Sequence, residues 1–142
     1  MGVIHHFHGK NGGWDWDGVP CNQLQPGITA QRFISRQDDS NNIELRYFEI
    51  EPGARSNYEQ HNYEHAVLIL RGRGTVLLGE EVFPVQFGDA VFVESDEIHQ
   101  FRAAEDELLG FLCTVLDKEL RVTVHGEQTL VLFVDATGEP LP

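Results

Sequence analysis

The sequence is short of basic residues. Its 142 residues hold 10 Lys and Arg against 23 Asp and Glu, a formal charge of -13. A surface of that sign repels phosphate, which argues against nucleic-acid and anionic-membrane partners. Cysteine is scarce as well. Cys21 and Cys113 are the only two, their spacing suggests neither a disulfide framework nor a thiolate metal site, and both are read as reduced thiols. No apolar run approaches the ~20 residues needed to span a bilayer. The opening MGVIHHFHGKNGGW lacks a basic segment followed by an apolar one, so the expected location is cytoplasmic. A sustained helical period is also missing. The best helical stretch, AAEDELL over Ala103 to Leu109, is seven residues long and lies between strand-like segments, so it reads as a turn.

What is present is a series of short strand-like segments. Ile28 to Ser35, Ile43 to Glu51, Ala66 to Leu70, Thr75 to Leu78, Val82 to Val85, Ala90 to Val93, His99 to Ala103 and Leu108 to Leu116 are separated by turn signals such as Asp38 to Asn42 and Pro52-Gly53. The apolar run from Ala66 is expected to stop at Arg71-Gly72-Arg73-Gly74. Leu78-Gly79-Glu80-Glu81 suits a tight hairpin, and Pro84 belongs on an edge or at a bulge. Many short strands with glycine turns indicate an all-β sandwich or closed barrel. The length suits one domain. The expected organisation is a single domain over residues 1–142, with a core at about 28–116, an N-terminal arm at 1–27 and a strand extension at 117–142. In that extension Val122-Thr123-Val124 and Thr129 to Asp135 read as a hairpin around Gly126-Glu127, and His125 as a surface residue.

The chemistry concentrates in Pro52 to Gly72, PGARSNYEQHNYEHAVLILRG. Glu59 and His61 are two apart, so an extended strand projects both from one face. His65 cannot continue that straight strand, because four residues at about 3.3 Å each place it roughly 13 Å away, too far for two imidazoles to share one ion. The chain must bend near Asn62 and Tyr63, with Gln60 and Tyr63 read as corner residues. A second stretch, GDAVFVESDEIH from Gly88 to His99, has a turn, a short apolar strand, a polar corner and a final histidine.

These two stretches resemble the paired motifs of the cupin superfamily, and of its small cupin 2 barrels in particular. His65 has six residues between it and Gly72 in the manner of the first motif, and His99 follows Gly88 by eleven residues in the manner of the second. The resemblance implies an all-β cupin jelly-roll barrel, or double-stranded β-helix, with His61, His65 and His99 as metal ligands in its mouth. Glu59 replaces the first histidine of the usual pair, so it either ligates or swings free as a general base. Extra strands at both ends, as in small cupins, imply a homodimer.

Three imidazoles and at most one carboxylate suit one divalent Mn, Fe, Co, Ni, Cu or Zn and disfavour Ca or Mg. Strand alternation places Phe101 on the face of His99 and groups Leu109, Phe111, Cys113 and Val115. A pocket wall of Arg46, Tyr58, Phe101, Phe111 and Cys113 follows. Arg46, turned inward, would hold a substrate carboxylate, whereas an outward arginine is simply solvated; Cys113 reads as a small core residue. The expected ligand is a small molecule. The expected function is a metal-dependent enzyme on a small organic acid or carbonyl compound, with dioxygenase-like and isomerase or lyase-like chemistry both open. The alternative is a non-catalytic binding or sensing cupin. His5, His6 and His8 read as surface or packing residues, and Trp14 and Trp16 as a cover for a barrel edge or a subunit neighbour.

Overall fold

The computed structural model describes residues 2–9, 13–123 and 129–132. It is built almost wholly of strands: β1 (Cys21–Gln25), β2 (Ile28–Ile34), β3 (Ile43–Ile50), β4 (Tyr58–His61), β5 (His65–Leu78), β6 (Glu81–Gln86), β7 (Ala90–Val93), β8 (His99–Ala103), β9 (Leu109–Leu116) and β10 (Thr129–Leu132), with one short helix, α1 (Lys118–Thr123). The strands form one curled sheet in the order β1-β2-β3-β9-β5-β8-β4-β10, with β6 and β7 both pairing β5. This is a closed barrel, as the strand pattern predicts, in the jelly-roll form that the cupin resemblance implies.

β5 joins the two walls. Its first half pairs β9 and β7, and its second half pairs β6 and β8. The expected stop at Arg71 to Gly74 is therefore corrected: the strand runs on through it, with a register shift between Ile69 and Arg71. The glycines are there for close approach rather than for a break. Gly72 has φ +66°, and a Cβ on it would lie 1.7 Å from the Leu108 carbonyl oxygen. A Cβ on Gly74 would lie 1.9 Å from the Arg102 carbonyl oxygen. Only glycine admits the neighbouring backbones at these points.

Alternation along each strand fills the barrel interior with apolar side chains. Ile28, Ile50, Ile69, Val76, Leu109 and Phe111 are among its buried members, and Phe111 stacks on Phe101 and Phe48 with ring centroids 4.5 and 5.6 Å apart. The outer face of β2 and β3 is covered by the N-terminal arm. Trp14 and Trp16 pack on Tyr47, and Trp16 on Phe33. The tryptophans thus cover a sheet face rather than an edge, while β1, unforeseen in the arm, pairs the edge of β2. His5 ties the arm down through Asp38 and the Asp17 carbonyl, and His8 pairs with Asp17.

The C-terminal hairpin is corrected too. Residues 118–123 are the helix α1, and β10 pairs antiparallel with β4, Thr129 opposite His61. The competing force is a cap: the buried Asp117 carboxylate accepts the Glu119 backbone N–H at 3.0 Å and the Arg36 guanidinium on both oxygens at 2.9 Å. That cap overrides the strand preference of Val122 and Thr123. Residues 124–128, with His125, and 133–135 lie outside the described residues.

Candidate metal centre

Beside the apolar core, β4, β5 and β8 bring four side chains to one point. Glu59 pairs with His99 across β4 and β8, and His61 projects from the same face of β4. The chain then bends through Asn62 to Glu64, and β5 begins at His65. The potential ligand atoms of Glu59, His61, His65 and His99 all lie within 4.8 Å of one another. His61 Nε2 is 2.8 Å from His65 Nε2, and Glu59 Oε1 is 3.8 Å from His61 Nε2 and 3.6 Å from His99 Nε2. Donors about 2.1 Å from a shared ion sit roughly 3.0 to 3.4 Å apart, so the set needs only small adjustments to close on one.

The protonation pattern fits a cation. His61 donates Nδ1–H to the Tyr63 carbonyl at 2.7 Å, and His99 donates Nδ1–H to the Glu97 carbonyl at 2.9 Å. With Nδ1 so engaged, each ring turns Nε2 toward the centre. His99 Nε2 is buried and has no hydrogen-bond partner among the described residues. A buried lone pair with no donor is costly, and an ion between the four side chains would satisfy it. His65 places Nδ1 3.3 Å from Cys113 Sγ. A thiol both donates and accepts, so Cys113 accommodates either tautomer of His65, including the one that frees Nε2.

Electrostatics agree. Burial, then the positive charge of Arg46, pushes His65 down to about 2. Burial, then His99, lowers His61. Both rings are thus neutral ligands. Burial pushes Glu59 up, but His99, His61 and Arg46 outweigh it and hold the carboxyl below its ordinary value. Burial raises the Cys113 thiol against the pull of Arg46, which leaves it protonated.

Of the expected pocket residues, Arg46 and Cys113 meet: Arg46 Nη2 donates to Cys113 Sγ at 3.2 Å, and the guanidinium lies 4.9 Å from the centre of the Phe48 ring. Phe101 and Phe111 are buried below them. Tyr58 is a correction. By alternation it takes the face of β4 opposite Glu59 and His61, away from the cluster. The tyrosine at the centre is Tyr63, read from sequence only as a corner, whose ring lies flat on His61. Arg121 was also missed; it donates to the Tyr63 hydroxyl at 3.2 Å from α1. The signal for Tyr63 was its place two residues after a candidate ligand. Arg121 carried none, because α1 was read as strand.

The comparisons with known proteins agree with this architecture. A family model described as a cupin domain matches residues 46–115. The 1-methylthio-D-xylulose 5-phosphate methylsulfurylase of Rhodospirillum rubrum is 50% identical over 105 residues, which cover 70% of this chain and 67% of that protein. A crystal structure of a cupin-2 domain protein from the same organism matches with a TM-score of 0.67 and 38% identity over 73% of each chain. The polyketide cyclase RemF of Streptomyces resistomycificus shares the fold at 20% identity, with a TM-score of 0.71 over 94% of this chain and 89% of that one. With its two motifs on β4–β5 and β7–β8 and its four converging side chains, the chain belongs to the cupin family.

Proposed function

We propose that this protein is a mononuclear metal enzyme acting on a small carbonyl compound by isomerase or lyase-type chemistry. The observation that carries the reading is the convergence of three imidazoles and one carboxylate inside the barrel, with Nδ1 of His61 and of His99 bonded to backbone carbonyls so that Nε2 of each faces the centre. His61, His65 and His99 would hold the ion, with Glu59 Oε1 as the fourth donor. A divalent ion so held supplies Lewis-acid polarisation of a substrate oxygen. The ion is expected to be Mn, Fe, Co, Ni, Cu or Zn.

The chain's own groups do the rest. Glu59 has the most exposed side chain of the set, at 26%, so it is the member most open to solvent. Its second oxygen takes the proton from the carbon beside the carbonyl; the electron pair of that C–H bond forms a carbon–carbon double bond, and the carbonyl π pair moves onto oxygen. The apolar floor of Phe48, Phe101 and Phe111 limits water below the centre. Of the two chemistries left open by the sequence, the 50% identical relative supports the carbonyl one, since its name specifies a phosphorylated xylulose. The dioxygenase-like reading has no comparable support.

The test begins with metal content by elemental analysis of protein purified without a histidine tag. Metal-loaded protein is then incubated with D-xylulose 5-phosphate in D2O and followed by proton NMR. Loss of signal from hydrogens beside the carbonyl, faster with metal and absent in Glu59→Gln, supports the proposal. Full metal occupancy without exchange would favour the non-catalytic binding cupin.

A further inference from the structure

We infer that Arg46 forms an anion subsite beside the metal centre, so the ligand carries a carboxylate or phosphate group a few bonds from the atom that meets the metal. The inference rests on the metal-centre reading above and adds the charge and shape of the ligand to it.

Arg46 differs in its pairing from five other arginines. Arg32, Arg36, Arg71, Arg73 and Arg121 each have a carboxylate oxygen within 4.0 Å. None of the carboxylates among the described residues comes that near to Arg46, although the sequence holds 23 Asp and Glu. Its one hydrogen bond among the described residues goes to the Cys113 sulfur at 3.2 Å and not to a carboxylate. Its Nε is buried without a hydrogen-bond partner among the described residues. A partly buried cation with an unused N–H costs free energy unless something pairs with it. A guanidinium presents its donors as a planar fork, which matches the two oxygens of a carboxylate or phosphate.

Register locates the subsite. Arg46 pairs Cys113 across β3 and β9, and Cys113 pairs Val67 across β9 and β5. Val67 is the next inward residue after His65 on β5, so the two levels are about 6.6 Å apart along the strand. Arg46 therefore springs from the wall one layer below the metal ligands and above the Phe48–Phe111 floor. A ligand with a carbonyl at the centre and an anionic group two or three carbons away spans that distance; a long or neutral ligand gains nothing from it.

The experiment uses full-length protein loaded with Mn(II) and three ligands that share a carbonyl: levulinate, dihydroxyacetone phosphate and neutral hydroxyacetone. Dissociation constants come from calorimetry, and metal content is measured on every sample. Wild type is expected to bind one of the anions about tenfold or more tighter than hydroxyacetone, the scale of one charge-assisted hydrogen bond. Arg46→Gln should lose that preference while keeping its metal, and Arg46→Lys should keep part of it. The tighter anion identifies the group as carboxylate or phosphate. An equal anion preference in metal-loaded Arg46→Gln, or no preference in wild type, overturns the inference. Should Arg46→Gln fail to fold, wild type alone decides, through its anion preference and its competition by inorganic phosphate or acetate. If wild type takes up no metal, the metal-centre reading fails, and the same ratios on metal-free protein still decide for or against Arg46.

Discussion

The ring of Tyr63 lies parallel to the imidazole of His61, with centroids 3.8 Å apart and planes 4° from parallel. The same residue accepts His61 Nδ1–H at its carbonyl, 2.7 Å away. Tyr63 thus sets both the ring plane of a metal-ligand candidate and the nitrogen that faces the centre. Its hydroxyl accepts Arg121 Nη1–H, and the guanidinium lies 4.9 Å from its ring centre. A ligand on β4 is in this way braced by the helix that follows β9.

Removing the brace should weaken metal binding without abolishing it. Tyr63→Leu keeps the carbonyl and loses the ring, so metal affinity is expected to fall about tenfold, at the lower end of losses seen for groups that orient ligands. Tyr63→Phe keeps the stacking and should stay within about threefold of wild type on the same scale. Competition with a calibrated chelator measures both. Equal losses in the two variants would assign the effect to the hydroxyl and Arg121 instead.

The ligand histidines should behave differently from the brace. His61→Ala and His99→Ala each leave two imidazoles, and stoichiometric metal is expected to be lost from both. Glu59→Gln keeps the three imidazoles and should lower affinity or change metal preference. Elemental analysis after dialysis reads the result. Wild-type metal content in either histidine variant would sink the site assignment.

Much of this site was legible in the sequence, for reasons of local geometry. A strand has a period of two, so Glu59 and His61 had to share a face, and a bend was required before His65. Phe101, Phe111 and Cys113 followed from the same alternation. What local rules misjudged were features decided by distant partners. Arg71-Gly72-Arg73-Gly74 reads as a break because glycine usually punctuates; in the fold those glycines make room for the Leu108 and Arg102 carbonyls. Val122 and Thr123 favour strand, yet a carboxylate tied to Arg36, 81 residues away, begins a helix before them. Tyr58 was placed in the pocket although alternation from Glu59 turns it away, so the rule was available and was not applied there.

The close crossing at Gly72 predicts a large stability effect. Gly72→Ala adds a methyl against the Leu108 carbonyl, 1.7 Å from its built position, at a φ of +66°. Backbone strain and the clash together should cost on the order of 3 kcal/mol. Gly79 has the same φ of +66° with nothing within 4 Å of the added Cβ, so Gly79→Ala carries the conformational cost alone and should be milder. Urea unfolding of both variants tests this. Equal losses would show that conformation, not the β5 crossing, sets the penalty.

The cap of α1 gives acid sensitivity a specific source. Asp117 is held below its ordinary carboxylate value of 3.8, chiefly by its hydrogen bonds from Arg36, against burial. The native state therefore binds a proton at Asp117 less readily than the unfolded chain does. The stabilisation is complete above that ordinary value and is lost as pH falls through the lower native one. Asp117→Asn removes the charge, so the wild-type advantage in urea midpoint should be constant from about pH 5 to 7 and shrink below about pH 4. Added salt should trim it only modestly, because the carboxylate is buried, its side chain 1% exposed. Parallel wild-type and Asp117→Asn curves down to about pH 3 would mean that the Arg36 pair does not hold α1 in place, and that the backbone bond from Glu119 suffices.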